Sequence, residues 1–414
     1  MKIKKISCIL TSVFLISSSY ASEDCIKKDF WSTWYSQGSF KGFGMPPIKA
    51  EIHKAEYQLA EEYYQGKRVS KNYTKARELF SSAADGGLDQ ANFRLGLIHH
   101  YGQGTTKDLP RAFNYYLVLA EQNDIRAQFN IGLMYRYGLG TDKNLTEAFN
   151  WFYRSASAQE KVDINNCSVE QTPSAESQYN IAQMYHYGLG IDKDIKKAFS
   201  WYEKAAKNNL KEAQFNLAKL LLEDNIIELN FERAIESYQL AAEQGLAEAQ
   251  FNLAQLLHYG PSYFQDHRRA YKWYLKAAAQ DSKEAIFNLA LMNQYGRGTT
   301  QNYISAKKYY HQIEDQNIPE TYINLGFIYH YGLGTPVDDR KAVGYFQQAS
   351  RYNFGEADFH LGIIYRDGRG VSKNLILAES FFQKAKEKGI FEANQIMNTL
   401  AMREPSDVKL FELP

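Results

Sequence analysis

Asparagine falls at positions 130, 180, 216, 252, 288 and 324, and tyrosine at 101, 137, 187, 259, 295 and 331. An amide side chain offers two donors and an acceptor, enough to bracket a peptide bond. A tyrosine adds broad, adaptable contact area with a polar tip. Other chemistry is less well supplied. Ser305-Ala-Lys-Lys308 has the S-x-x-K spacing of penicillin-binding enzymes, but no S-D-N or K-T-G accompanies it, so it reads as helix surface. Gly138-Leu139-Gly140 and its equivalents lack the Lys-Ser/Thr of a phosphate loop, and no strand precedes them. His100, His186, His258 and His330 are too widely separated to reach one ion at about 2 Å each, so they read as polar surface positions and no metal site is expected. No catalytic constellation emerges, and no cofactor is implied.

These residues sit on a period. Alanine recurs at 55, 91 and 127, at 213, 249 and 285, and at 357 and 393, a step of 36 residues within each run and of 72 from 285 to 357. A fixed repeat of this length signals a solenoid, in which each unit buries its apolar face on its neighbours. Nine units open at Ala55, Ala91, Ala127, Ser177, Ala213, Ala249, Ala285, Thr321 and Ala357, counted as place 0, and Ala393 opens a partial tenth.

Place 4 is Leu or Ile and place 5 is Ala or Gly in every unit, with Tyr frequent at place 8. Apolar residues at 0, 4, 5 and 8 share one helical face, which defines helix A. Glycine at place 11 in eight units suits the left-handed end of that helix. Asn or Asp at place 17 in all nine, from Asn72 to Asn374, reads as an N-cap. Helix B follows, with Ala at place 21 and an aromatic at place 25 on one face. Gly, Asn or Asp at place 32 ends it. The asparagines occupy place 3 and the tyrosines place 10, about two turns apart on one stripe of helix A, turned away from the 0/4/5/8 face.

Stretches such as Ala127-Gln-Phe-Asn-Ile-Gly-Leu-Met-Tyr-Arg-Tyr-Gly-Leu-Gly, followed by Ala148-Phe-Asn-Trp-Phe, resemble Sel-1-like repeats, relatives of the tetratricopeptide repeat. The resemblance spans Ala55 to about Ala401. It implies an all-α fold, a right-handed α/α superhelical solenoid of antiparallel helix pairs, and adaptor roles in bacterial envelopes, host–pathogen contact or ER degradation complexes. Tetratricopeptide superhelices that bind extended peptides use a similar asparagine ladder. The resemblance therefore implies partner binding by Asn130, Asn180, Asn216, Asn252, Asn288 and Asn324, with Tyr137, Tyr187, Tyr259, Tyr295 and Tyr331 beside them. Gln58, Arg94 and His360 stand at place 3 in the remaining units and bound the ladder. Three units depart from the pattern: Glu223-Asp224-Asn225-Ile226 replaces the turn of unit five, Gly260-Pro261-Ser262 that of unit six, and unit three carries an insertion at about 157–176. The paired cysteines of the family's secreted branch are missing, so no penicillin-directed activity carries over.

The ends read differently. Lys2, Lys4 and Lys5, an apolar run too short to span a membrane, and Ser19-Tyr20-Ala21 form a secretory signal peptide at 1–21, cleaved near Ala21. Its removal takes three lysines from the chain's 48 basic residues and none of its 47 acidic ones. The near-balanced remainder offers no basic stripe for nucleic acid and no polybasic run for a membrane surface. Residues 22–54 form an aromatic-rich N-terminal cap, 55–392 the nine repeats, and 393–414 a capping helix and tail. Cys25 and Cys167 are compatible with a disulfide or with two free thiols in an oxidising compartment. The expectation is a non-enzymatic adaptor, periplasmic or secreted, that takes a protein or peptide along its concave surface, without membrane insertion, metal or nucleic acid. A regulator or subunit of a cell-wall or polysaccharide machine, and a cell-wall hydrolase, are the alternatives. The sequence leaves oligomeric state open.

Overall fold

A computed structural model describes residues 49–157, 173–223, 229–316 and 318–401. The described residues form helices and turns, with no strand. The chain divides into two compact units, one running to Asn230 and one beginning at Phe231. The first holds α1 (Lys49–Gln65), α2 (Tyr73–Asp85), α3 (Asp89–Tyr101), α4 (Leu109–Glu121), α5 (Ile125–Tyr137), α6 (Leu145–Ala156), α7 (Ala175–Tyr187), α8 (Ile195–Lys207) and α9 (Lys211–Leu220). The second holds α10 (Phe231–Glu243), α11 (Ala247–Tyr259), α12 (His267–Ala278), α13 (Lys283–Tyr295), α14 (Tyr303–Gln312), α15 (Pro319–Tyr331), α16 (Asp339–Arg351), α17 (Gly355–Asp367), α18 (Leu375–Glu387) and α19 (Phe391–Ala401). Odd-numbered helices are helix A and even-numbered ones helix B. Within each unit every helix packs on the next, which is the pairing of a helical solenoid.

The core lies where the period puts it. From the second repeat on, the residues at place 0 are fully buried, Ser177 and Thr321 included. Ala55 and Leu59 in α1 are exposed, so the first repeat begins with an open face among the described residues. The nine aromatics at place 25, from Phe80 to Phe382, are no more than 3% exposed. Fully burying such a side chain stabilises by about 1.5–3 kcal/mol. The small residue at place 5 exists because of that ring. A Cβ on Gly132 would lie 2.6 Å from Phe152, and one on Gly326 would lie 2.5 Å from Phe346.

The turns follow equally local rules. Eight of the place-17 side chains accept the backbone N–H three residues on; Asn302 Oδ1, for example, accepts from Ser305 N at 2.9 Å. At place 11, Gly138 takes φ +67° and closes α5 in the left-handed conformation. The second turn glycine has a further duty. Gly298 packs on the first residue of the preceding helix B, where a Cβ would lie 2.1 Å from the His267 carbonyl oxygen. Place 32 is left-handed at Gly87, Asn123, Asn209, Gly245, Asp281, Asn353 and Gly389; Asn317 lies outside the described residues. In unit six Gly260 is extended and a 3-10 turn spans Ser262–Phe264. In unit five α9 stops at Leu220, without a glycine. The signal segment, most of the 22–54 cap, both cysteines of the mature chain and residues 158–172 of the insertion also lie outside the described residues.

Candidate interaction face

Helix A presents the asparagine stripe, and the local chemistry of those amides is now visible. Asn180, Asn216, Asn252, Asn288 and Asn324 each donate from Nδ2 to the backbone carbonyl four residues earlier, at 2.7–2.8 Å. Side-chain bonding back to i−4 is a known competitor of solvent-facing use. Several amides also reach the adjoining repeat. Asn180 Oδ1 accepts from Arg136, Asn288 Oδ1 from the Tyr259 hydroxyl at 3.1 Å, and Asn324 Oδ1 from Gln294 Nε2 at 3.2 Å. Asn216 Nδ2 donates to Tyr179 Oη at 3.2 Å, and burial pushes the Tyr179 phenol up to about 12. Asn130, Asn180 and Asn288 are buried; Asn216, Asn252 and Asn324 are half-buried. The stripe, though turned away from the 0/4/5/8 face, therefore also serves the packing. It clips five of the A helices to themselves, and at Asn180, Asn216, Asn288 and Asn324 also to the adjoining repeat.

Within each unit the tyrosines stand out from the helix-A face. Tyr101, Tyr137, Tyr187, Tyr259, Tyr295 and Tyr331 are 41–58% exposed. Several are backed by a ring or cation: His186 stacks on Tyr187 with centroids 4.5 Å apart, His258 on Tyr259 at 3.9 Å, and Arg297 lies 5.7 Å from the Tyr295 centroid.

The place-9 histidines correct the sequence reading. His100, His258 and His330 are buried rather than on the surface, and His186 is half-buried. The reason is the place-25 ring: His186, His258 and His330 set their imidazoles edge-to-face against Tyr202, Tyr274 and Phe346, with centroids 6.0–6.1 Å apart. Burial, helped by nearby Lys107 for one and by His267 and Arg297 for the other, holds His100 and His258 down to about 4. His330 instead faces Asp339, Nδ1 to Oδ1 at 2.7 Å, and Arg369 Nε donates to the other Asp339 oxygen at 2.9 Å. At the ladder's bounds, Arg94 pairs with Glu61, and His360 stacks on Phe346 and is lowered to about 4 by burial and by His330.

Place 1 was missed in the sequence. Its side chain reaches back eight residues to the end of the preceding helix B. Gln128 Nε2 donates to the Ala120 carbonyl at 3.1 Å, Gln250 to that of Ala242 at 3.0 Å, and the Tyr322 hydroxyl to that of Glu314 at 2.9 Å. Asp358 reverses the polarity and accepts from the Ser350 hydroxyl at 2.6 Å. Gln recurring at 128, 178, 214 and 250 was the available signal. A second unread row is Glu at 176, 212, 248, 284, 320 and 356, one residue before each place 0.

The Sel1 repeat model matches nine segments: 53–88, 89–124, 125–159, 175–210, 211–246, 247–282, 283–317, 319–351 and 355–390. The chain belongs to the Sel1 repeat family. Sel1 repeat proteins are in general protein-interaction scaffolds without catalysis of their own. Among solved structures, this Sel1 chain is similar to c5321, a protective antigen present in uropathogenic Escherichia coli strains and displaying an SLR fold. Identity is 27%, the TM-score 0.66, and the match covers 82% of this chain and 70% of that one. It is also similar to a Sel1 repeat protein from Oxalobacter formigenes, at 23% identity and TM-score 0.49 over 89% of this chain and 99% of that one. No curated protein matches the chain.

Proposed function

We propose that this Sel1 repeat protein is a non-enzymatic adaptor that binds a peptide or protein partner along the helix-A face, in the bacterial envelope or at a host interface. The row of place-10 tyrosines carries the reading. Large aromatic side chains 41–58% exposed, repeated along the helix-A face of each unit, are what a binding surface needs and what a core does not. The asparagines at 130, 180, 216, 252, 288 and 324 line the helix-A face in each unit beside the tyrosines, and we assign them to the same partner-binding surface. The relative described as a protective antigen of uropathogenic E. coli supports a place at the host interface. A periplasmic or secreted destination, after cleavage near Ala21, belongs to the same proposal. Among the described residues no helix is long and apolar enough to cross a membrane.

The test is affinity capture with the full exported chain, with cross-linking to locate partners and mass analysis of the N-terminus. A partner held by the wild-type chain and lost on Tyr259→Ala/Tyr295→Ala/Tyr331→Ala supports the reading. Capture unaffected by that triple substitution argues against it. An N-terminus retaining residues 1–21 on the exported protein removes the proposed processing.

A further inference from the structure

Within the second unit, the helix-A face carries more than tyrosine. At 3.6 residues per turn, places −1, 3 and 10 lie within about 40° of one another. Each helix A from α11 to α17 therefore starts this stripe with a glutamate: Glu248, Glu284, Glu320 and Glu356, all exposed. Three of these helices continue it with Asn252, Asn288 or Asn324 and end it with Tyr259, Tyr295 or Tyr331, which are 54–57% exposed. The amides stand about 6 Å along the axis from the carboxylates and about 10 Å from the tyrosines, at 1.5 Å per residue.

The amides are largely engaged. Each gives one N–H to the carbonyl of its own glutamate, and Asn288 and Asn324 spend Oδ1 on Tyr259 and Gln294. What the stripe still offers a partner is a row of carboxylates on one side and a row of aromatic faces on the other. Helix initiation does not require an acid at this particular place: Gln90 and Arg126 occupy it in the first unit, where α3 has Asp89 in its first turn and α5 is capped by Asp124.

Positive charge on this face is mostly neutralised. Arg366 pairs with Asp367, Arg369 pairs with Asp339, and Arg297 lies against Tyr295. Lys283, next to Glu284, points about 100° round the helix. Behind Tyr259, His258 is 2% exposed with neither ring nitrogen partnered, a neutral imidazole and not a cation.

We infer that the helix-A face of the second unit recognises an extended peptide segment bearing regularly spaced lysine or arginine side chains. This rests on the helix-A docking reading above and names the chemistry it selects. Lys and Arg alone among side chains satisfy both rows. In one set of side chains the charged head meets a carboxylate, bidentate in the case of Arg, and in the other set the cation or its apolar stem lies over a tyrosine face. An extended backbone crossing the amides sends alternate side chains to opposite sides, one set toward the glutamates and the other toward the tyrosines.

The experiment uses the full chain and labelled peptides of about fifteen residues, long enough at about 3.3 Å each to cross several repeats. Three peptides share one apolar background and carry Lys, Gln or Glu at every third position. Fluorescence anisotropy is expected to show the Lys peptide bound about tenfold more tightly than the Gln peptide, with the gap closing as salt rises. The isosteric variant Glu248→Gln/Glu284→Gln/Glu320→Gln/Glu356→Gln keeps its melting profile and loses that preference without losing the Gln peptide. If the Lys and Gln peptides bind alike and the Gln variant changes nothing, the cationic specificity is overturned while docking on this face survives. If Tyr259→Ala/Tyr295→Ala/Tyr331→Ala binds every peptide as tightly as the wild type, docking falls with it. Failure of the Lys peptide to bind at millimolar concentration overturns the inference as well.

Discussion

Replacing Gly298 by alanine should weaken the joint between two adjacent repeats far more than replacing Gly245. Both glycines are left-handed, at φ +71° and +84°. An L side chain there costs about 1–2 kcal/mol in either case. They differ in what the new methyl meets. At Gly245 nothing lies within 4 Å, whereas at Gly298 the methyl would sit 2.1 Å from the carbonyl oxygen and 2.4 Å from the carbonyl carbon of His267. That neighbour is backbone at the start of α12 and cannot swing aside. Overpacking of this kind adds about 1–3 kcal/mol. The expected losses are thus about 2–5 kcal/mol for Gly298→Ala against about 1–2 for Gly245→Ala. Because a solenoid's stability is a sum of repeat and interface contributions, the loss should be local. Hydrogen exchange read on peptides from α12 and α13 for Gly298, and from α10 and α11 for Gly245, gives each local opening free energy directly. Equal protection losses in the two variants would refute the reasoning, since they would show that the second turn glycine is there for its backbone angle alone.

Other consequences can be checked on the same preparations. Tyr274→Phe should be neutral or stabilising by up to about 1 kcal/mol, because its buried hydroxyl has no partner, while Tyr310→Phe should cost about 1 kcal/mol for the bond its hydroxyl gives Gln294 at 2.8 Å; urea midpoints decide between them. Gln250→Ala strips the buried Ala242 carbonyl of its side-chain donor and should cost about 1–3 kcal/mol, whereas Asn302→Ala, losing an exposed cap of α14, should cost about 1 kcal/mol. His258, held to about 4 by burial against an ordinary 6.5, binds its proton more readily when unfolded. The folded state is therefore unpenalised above pH 6.5 and loses stability as pH falls from 6.5 towards 4, and His258→Phe should flatten that limb of the stability profile.

The parts of this fold that were legible in the sequence are those governed by local rules. A cap needs an oxygen three residues before an N–H, so Asn72, Asp108 and their successors announced every helix B. A left-handed helix end favours glycine or asparagine, so the turns could be placed within a residue. The buried place-25 rings were equally plain, because an aromatic four residues after an invariant alanine defines a face. What sequence could not show was which partner each polar side chain finds across repeats. The cross-repeat bonds of the place-3 asparagines to Arg136, Tyr259 and Gln294 depend on how one helix A lies beside the next, while their bond to the i−4 carbonyl is local but optional for an amide. The histidines at place 9 looked solvent-facing for a similar reason: only the position of the neighbouring ring buries them. The glutamate row escaped notice because an acid in a first helical turn has a ready local explanation in the helix dipole.

The most direct test of the account is site-specific photo-cross-linking in cells producing the full chain. A photoreactive phenylalanine analogue would replace Tyr295 on the helix-A face or Leu275, 39% exposed on α12, a helix B. The account predicts a discrete adduct to a partner from position 295 and none from 275. An adduct from 275 with none from 295 would contradict it and move the binding surface to the helix-B side.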